Sequence, residues 1–205
     1  RFISFEGIDG AGKSTHIASV AEAFSRQGAR VCLTREPGGS KGAEEIRRLV
    51  LEGDADRWST ETELLLFTAA RRDHLEKTIR PALARDEVVI TDRFADSSRI
   101  YQGLTRGDMR DTVDRLQALM IGVEPDLTLL IDIDPAEGLS RAVARSGKEM
   151  RFEDMGLSVQ EKARDGFLAL AKAHPDRFRV ISGKGMPEQI ATQVLQTVLA
   201  HLGTA

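Results

Sequence analysis

Several features are scarce or missing in this sequence. Cys32 is the single cysteine among 205 residues, so the chain can form no intramolecular disulfide, and no Cys/His cluster has the spacing of a zinc site. Basic residues number 29 and acidic residues 32, so there is no basic excess of the kind that binds nucleic acid or anionic membranes. These absences favour a protein of the reducing cytoplasm whose partner is neither a nucleic acid nor a membrane.

Long apolar runs are also missing. The longest uncharged stretch, residues 189–205, is interrupted by Gln193, Gln196 and His201, so it lacks the roughly 20 apolar residues that cross a bilayer. The first residues have the pattern of a strand and not that of a signal peptide, so we expect neither a leader nor a membrane segment. A length of 205 residues with 41% hydrophobic residues predicts a single folded domain.

Short apolar runs alternate with longer stretches of helical period. The runs predict five strands, at residues 2–5, 30–34, 88–91, 127–132 and 178–182. The spacing of apolar residues predicts helices at 13–27, 41–51, 60–84, 109–121, 135–145, 157–173 and 187–202. This alternation predicts an α/β fold, with a five-stranded parallel sheet, helices on both faces and ligands at the carboxyl ends of the strands. Residues 103–107 and 146–151 have the most loop-like composition, and the second segment is a candidate lid.

A glycine-rich motif follows the first predicted strand. Residues 7–15 fit the pattern G-x-x-x-x-G-K-[ST] and open a predicted helix, as this motif requires. Glycines let backbone N–H groups converge on a phosphate, Lys13 supplies charge to the outer phosphates, and the Ser14 hydroxyl can complete a Mg²⁺ shell. We therefore predict a nucleoside triphosphate site formed by Gly7, Ile8, Asp9, Gly10, Ala11, Gly12, Lys13, Ser14 and Thr15. The chain has no asparagine, so the Asn-Lys-x-Asp signature of GTPases is absent and ATP is favoured.

Two other groups of residues could bind an acceptor. Arg93 follows the third predicted strand, at the same edge of the sheet as the phosphate loop, where its guanidinium could hold a phosphate with two hydrogen bonds. Alternatively, it is a surface arginine paired with a carboxylate. Phe67 and Arg71 are four residues apart on one helical face, so an aromatic plane and a donor could contact one pyrimidine. Because Phe67 follows three leucines, burial in the core is the alternative.

Three further motifs accompany the phosphate loop. They are Thr-Arg-Glu-Pro-Gly-Gly at 34–39, Leu-Phe-Thr-Ala-Ala-Arg at 66–71, and the segment 92–103 that begins Asp-Arg-Phe-Ala-Asp-Ser. In this order and spacing they resemble the thymidylate kinase family from the first predicted strand to beyond the third. The resemblance implies a P-loop fold of the nucleoside-monophosphate-kinase type and Mg²⁺- and ATP-dependent phosphorylation of dTMP to dTDP for dTTP synthesis. It also implies a homodimer, for which helices 60–84 and 109–121 could supply the interface.

The resemblance also assigns roles on the acceptor side. It gives the dTMP phosphate to Arg93 and Arg47, and it gives Glu36 a part in organising that phosphate and the magnesium. It places thymine between Phe67, which stacks on the base, and Arg71, which hydrogen-bonds to it. The residues that it assigns to the deoxyribose and base are Ser97, Tyr101 and Gln102. Tyr101 would crowd the 2′ carbon and disfavour ribonucleotides; the alternative is a helix tyrosine packed on the core.

The reacting phosphates need more positive charge than the loop provides. Phosphoryl transfer depends on positioning and on neutralising charge, and Lys13 is the loop's only cation because no arginine lies between Gly7 and Gly12. Residues 138–145 and 151–153 resemble the lid of bacterial thymidylate kinases that lack a loop arginine. The resemblance implies a mobile lid near 141–153, with Arg145 catalytic and Arg141 on ATP; the alternative is a solvated basic helix end.

Three acidic residues compete for roles near the phosphates. Asp92 and Asp132 both follow apolar runs and could support magnesium; the run itself favours Asp132, whereas the adjacent Arg93 and the family pattern favour Asp92. We predict Ser14 and Asp92 as the metal pair. Asp9 resembles the family carboxylate that contacts the dTMP sugar or a magnesium-bound water, or alternatively it only turns the tight loop. We thus predict Lys13, Arg145, Asp9 and Arg93 as the catalytic residues.

Two alternative functions stay open. One is another nucleoside or nucleoside-monophosphate kinase with the same sheet, and the other is an ATP-dependent switch or scaffold.

Overall fold

One parallel sheet organises the chain. The computed structural model describes residues 1–54, 56–145 and 156–203. Its five strands pair in the order β2-β3-β1-β4-β5, and every pairing is parallel. The strands are β1 (Phe2–Glu6), β2 (Val31–Arg35), β3 (Val88–Asp92), β4 (Leu127–Asp132) and β5 (Phe178–Ser182). All five predicted strands are confirmed, and β1, β2 and β3 each end one residue later than predicted.

The helices connect the strands and cover the sheet. They are α1 (Lys13–Arg26), α2 (Lys41–Leu51), α3 (Thr60–His74), α4 (Arg80–Ala84), α5 (Ala95–Ile100), α6 (Arg110–Leu116), α7 (Pro135–Arg145), α8 (Gly156–Ala173) and α9 (Pro187–Leu202). Phe2 and Val89 are register partners and pack on one face with Leu75. The next pair, Ile3 and Ile90, belongs to a second cluster that includes side chains of α1 and α9. Because side chains alternate across a strand, these two clusters lie on opposite faces, as predicted.

The long helix predicted over residues 60–84 is interrupted. A π-helical turn, Leu75–Ile79, separates α3 from α4, and Pro81 lies at the start of α4. Proline has no N–H to donate to the preceding turn, so the regular ladder cannot continue through it, and the wider turn accommodates the change. A similar π turn, Gln117–Ile121, follows α6.

Helix α5 was not predicted. Its residues Ser97 and Ser98 line the cavity described below. It continues into a π-helical turn, Tyr101–Thr105, so residues 103–105 of the segment predicted to be a loop are helical. All six side chains of α5 are buried. Because polar and apolar residues are buried alike, no amphipathic period marks this helix in the sequence.

The phosphate loop is pressed against the start of α7. A Cβ built on Gly10 would lie 2.0 Å from the carbonyl oxygen of Gly138, and one built on Gly138 would lie 2.7 Å from the carbonyl oxygen of Asp9. Gly10 also has a φ of 78°, in the left-handed region that favours glycine. The two glycines therefore fix the loop against the helix. None of the helices in the described ranges is long and apolar enough to cross a membrane.

Candidate active site

A cavity of about 450 Å³ lies at the carboxyl ends of β1, β2 and β3. Parallel sheets of this type bind ligands at this edge. Five basic side chains line the cavity, together with the carboxylates of Asp9, Glu36 and Asp92. The basic residues are Lys13, Arg35, Arg47, Arg71 and Arg93. The excess of positive charge suits a ligand with several phosphate charges.

The phosphate loop holds its lysine in place. Gly12 precedes α1 with a φ of 84°, and Lys13 is the first helical residue. The Lys13 Nζ donates to the carbonyl oxygens of Gly7 and Ile8, each at 3.2 Å, and the side chain is buried. Burial and the nearby Arg93 lower the pKa of Lys13. Gly7 and Ile8 thus hold the lysine through their carbonyl oxygens, and the six predicted residues from Asp9 to Ser14 line the cavity, whereas Thr15 is not among the described lining residues.

Arg93 joins the donor and acceptor sides of the cavity. Its Nη2 donates to Asp9 Oδ1 at 2.7 Å, and its Nη1 donates to Ser97 Oγ at 2.9 Å. Arg93 has a φ of 70°, an uncommon conformation for a residue other than glycine. Its backbone N–H donates to Phe5 and its carbonyl oxygen accepts from the Thr91 hydroxyl, both at 2.9 Å. Although burial opposes it, the charges of Arg93 and Lys13 lower the pKa of Asp9.

Glu6, at the end of β1, supports the residues that follow Arg93. The sequence analysis did not single out this residue. Its two carboxyl oxygens accept from the Phe94 N–H and the Ser97 hydroxyl, each at 2.7 Å. Burial, reinforced by Asp96, raises the pKa of Glu6 from 4.5 to about 7, against the lowering effect of Arg93. Since Ser97 also accepts from Arg93, Glu6 fixes the arginine's contact through Ser97.

Glu36 and Arg71 form a buried ion pair beside the cavity. Arg71 Nε donates to Glu36 Oε2 at 2.6 Å, and its Nη2 donates to Phe94 O and to Ser98 Oγ. The other Glu36 oxygen lies 3.0 Å from His74 Nδ1, and His74 Nε2 lies 2.6 Å from the Thr34 hydroxyl. Three protein groups therefore hold the Arg71 side chain. Arg71 also lines the cavity, as its predicted contact with the base requires. His74 was missed because a lone histidine on a helix gives no signal of its neighbours.

The predicted pyrimidine residues lie together. Phe67 is half-buried and lines the cavity, and it belongs to neither buried cluster formed by the described residues, so the core alternative is wrong. Tyr101, Gln102 and Ser97 line the same cavity. Tyr101 also belongs to the larger buried cluster, and its ring packs edge-on against Phe167 with centroids 6.2 Å apart, so this side chain packs on the core as well as lining the cavity. Burial raises the pKa of Tyr101, and the Arg93 guanidinium, whose charge opposes this rise, lies 5.3 Å from the centre of the Tyr101 ring.

Ser14 and Asp92 meet at the end of the phosphate loop. The Ser14 hydroxyl donates to Asp92 Oδ2 at 3.2 Å, and Asp92 Oδ1 is buried without a partner among the described residues. A hydroxyl and a carboxylate with an unused oxygen fit Mg²⁺, which prefers oxygen ligands and retains water and phosphate ligands. Within the described ranges, no three or more His, Cys, Asp or Glu side chains lie together in an arrangement that could hold a metal ion. The competing acid, Asp132, instead pairs with Arg164 at 2.6 and 2.9 Å.

The remaining predicted cationic residues are Arg47, Arg141 and Arg145. Arg47 lines the cavity and donates to the Pro37 carbonyl at 2.7 Å. Arg141 is exposed on α7 and pairs with Glu137, and the described cavity lining includes its neighbour Ala142 instead. The predicted lid falls mainly on residues 146–155, which lie outside the described residues, as does the side chain of Arg145.

Fold and site together define the class of this protein. A parallel sheet of order 2-3-1-4-5, a phosphate loop after β1 and a cationic cavity at the strand ends are the features of a P-loop nucleoside-monophosphate kinase. The family model for thymidylate kinase matches residues 5–194. The chain belongs to the thymidylate kinase family.

Individual relatives agree over almost the whole chain. A thymidylate kinase of Ruegeria pomeroyi is 64% identical over 201 residues, which are 98% of this chain and 95% of the relative. A thymidylate kinase of Caulobacter vibrioides is 47% identical and covers 98% of this chain, matching 97% of its own length. A crystal structure of thymidylate kinase from Ehrlichia chaffeensis superposes with a TM-score of 0.79 at 34% identity, covering 96% of this chain and 97% of the other.

Proposed function

We propose that this protein transfers the γ-phosphoryl group of ATP to dTMP, giving ADP and dTDP. The observation that carries the proposal is that Lys13, Arg93 and Phe67 line the same cavity of about 450 Å³. Lys13 belongs to the donor loop, Arg93 to a phosphate-binding position beyond it, and Phe67 to a base-binding position. Two nucleotides placed end to end along this cavity would have their phosphates between Lys13 and Arg93. The family membership and the identities above support the same reaction.

The residues of the chain position the two substrates and neutralise charge. Lys13, fixed by two carbonyl oxygens, presents its ammonium group to the outer phosphates of ATP. Arg93 would donate from its two terminal nitrogens to the acceptor phosphate. In the structure these nitrogens donate to Ser97 and Asp9. Ser14 and Asp92 would hold Mg²⁺, which when bound neutralises the donor's β- and γ-phosphates. Asp9, ionised between two cations, would orient the acceptor or a water on the metal.

The nucleoside end of dTMP is assigned to the aromatic end of the cavity. Phe67 would stack on thymine, and Arg71, kept rigid by Glu36, would donate to the base. Tyr101 would lie against the 2′ carbon, where an additional hydroxyl would collide with the ring. Glu36 and Arg47 would assist the acceptor phosphate. The transition-state role of Arg145 and the ATP contact of Arg141 stay predictions from the family resemblance.

An acceptor panel tests the proposal directly. Purified protein with Mg²⁺ and ATP is offered dTMP, dUMP, thymidine and CMP, and ADP formation is followed. We expect stoichiometric, dTMP-dependent ADP formation, with thymidine and CMP poorly used. ATPase activity indifferent to every acceptor would instead support the ATP-dependent switch, and preference for CMP or thymidine would support another kinase of this fold.

The quaternary state and location are also proposed. The protein is assigned to the cytoplasm as a homodimer. The surface favouring a dimer is an exposed apolar one on α3 and the turn after α6, where Leu65 is 58% and Leu119 76% exposed. Exposure of neighbouring apolar side chains to water is unfavourable, so a second copy of the chain would cover these leucines. Light scattering on purified protein should give the dimer mass, and Leu119→Lys should give the monomer; a monomeric wild type would contradict the assignment.

A further inference from the structure

A buried carboxylate stands behind one of the base-binding residues. Glu63, on α3, is fully buried, and its Oε1 accepts from the Nε2 of Gln102 at 2.8 Å. Its Oε2 accepts from Arg106, which is itself mostly buried. Gln102 is 1% exposed and lines the cavity, whereas Glu63 is not among the described lining residues. The carboxylate therefore lies on the far side of the glutamine amide from the ligand.

This contact decides which way the amide faces. An amide has donor hydrogens on nitrogen and acceptor lone pairs on oxygen, and the two ends exchange places when the group rotates by half a turn. An ionised carboxylate only accepts hydrogen bonds, so the reversed amide would place two acceptors face to face in a buried setting. Arg106 supplies the opposite charge that keeps Glu63 in this role. Glu63 thus holds Nε2 toward itself and directs Oε1 of Gln102 toward the cavity.

We propose that Glu63 is a positioning residue that fixes Gln102 as a hydrogen-bond acceptor and so selects bases with an N–H at position 3. Thymine and uracil have that donor, whereas cytosine has an unprotonated nitrogen there. Cytosine would therefore oppose its lone pair to Oε1 and leave both groups unpaired in a dry site, which is the strongest basis for rejecting an analogue. The inference rests on the proposed function, because it requires a pyrimidine between Phe67 and Gln102.

The decisive variant is Glu63→Gln, assayed with dTMP and dCMP. A glutamine at 63 can donate to Gln102 Oε1, which frees the amide to reverse and present N–H to the cavity. We expect the ratio of kcat/KM for dTMP over dCMP to fall about tenfold or more, the range for leaving one buried polar group unpaired. The KM for ATP should stay unchanged. Glu61→Gln, an exposed neighbour on the same helix, is the matched control and should keep the wild-type ratio.

The exchanged pair, Glu63→Gln with Gln102→Glu, tests the mechanism. Position 63 then donates to position 102 and still accepts from Arg106, and the second oxygen at 102 faces the cavity as an acceptor. The discrimination should return, which loss of packing alone would not allow. An unchanged ratio in folded Glu63→Gln would overturn the inference, as would an exchanged pair that fails to discriminate, even if the single variant does not fold. Failure of the wild type to phosphorylate dTMP would instead refute the proposed function.

Discussion

Replacing Glu6 with glutamine tests the electrostatics of the site. Glu6 is the last residue of β1 and accepts hydrogen bonds from Phe94 and Ser97, and burial raises its pKa to about 7. A glutamine resembles the protonated acid in size and charge. It can accept from the Phe94 N–H and donate to the Ser97 hydroxyl oxygen, so the hydrogen bonds that support Arg93 can persist. The substitution therefore removes the titration and leaves the packing in place.

The expected magnitude follows from the two pKa values of Glu6. Below about pH 4.5 both the folded and the unfolded chain carry the protonated acid, so Glu6 makes no pH-dependent difference. Between pH 4.5 and about 7 the unfolded chain releases its proton while the folded chain retains it, so stability is lost as the pH rises. A pKa difference of about 2.5 corresponds to about 3 kcal/mol at 1.36 kcal/mol for each pKa unit. The loss is complete above about pH 7 and should be absent in the glutamine variant.

The assay is urea unfolding of wild type and variant at several pH values from 4.5 to about 8.5. We expect the free energy of unfolding of Glu6→Gln to gain about 3 kcal/mol relative to wild type across that range. Glu61→Gln, at an exposed site, should run parallel to wild type. A difference between Glu6→Gln and wild type that stays constant with pH would refute the raised pKa and the desolvation argument behind it.

Three further substitutions test other parts of the site. Phe67→Ala should raise the KM for dTMP about tenfold and leave the KM for ATP nearly unchanged, because stacking is lost only on the acceptor side; equal losses would indicate a folding defect. Asp92→Asn should raise the Mg²⁺ concentration needed for half-maximal activity, and an unchanged requirement would remove Asp92 from the metal site. Gly138→Ala should lower thermal stability by about 1–3 kcal/mol, since the added Cβ would meet Asp9; unaltered melting would contradict the close contact.

The sheet could be predicted because its chemistry is local. The inner strands β1, β3 and β4 are buried on both sides, so each appears as an apolar run, and β4 was predicted to the residue. Helix α5 could not be predicted in this way, because Asp96, Ser97 and Arg99 are buried along with its apolar residues. Their burial depends on partners far along the chain, such as Arg177 for Asp96. Tertiary contacts of this kind leave no periodic trace in the sequence.

The same distinction between local patterns and tertiary contacts separates the site residues that could be predicted from those that could not. Residues in contiguous motifs, such as Lys13, Arg93 and Phe67, could be found because motif and spacing report them. Glu6 and Glu63 could not, because a single acid in an apolar stretch or near a helix start has the pattern of a solvated residue. Only the fold shows that each carboxylate is buried behind a side chain that lines the cavity. Supporting residues are therefore the part of an active site that sequence reasoning recovers least.

The contact between Arg93 and Asp9 has a consequence for which acceptors can enter. Both terminal nitrogens of Arg93 are already engaged, so an arriving anion gains only the excess of its own attraction over that of the carboxylate it displaces. If Arg93 binds the acceptor phosphate as proposed, a phosphate dianion has the charge to displace Asp9, whereas an uncharged nucleoside does not. On that proposal, Asp9 competes with the acceptor for Arg93 and disfavours nucleosides that carry no phosphate.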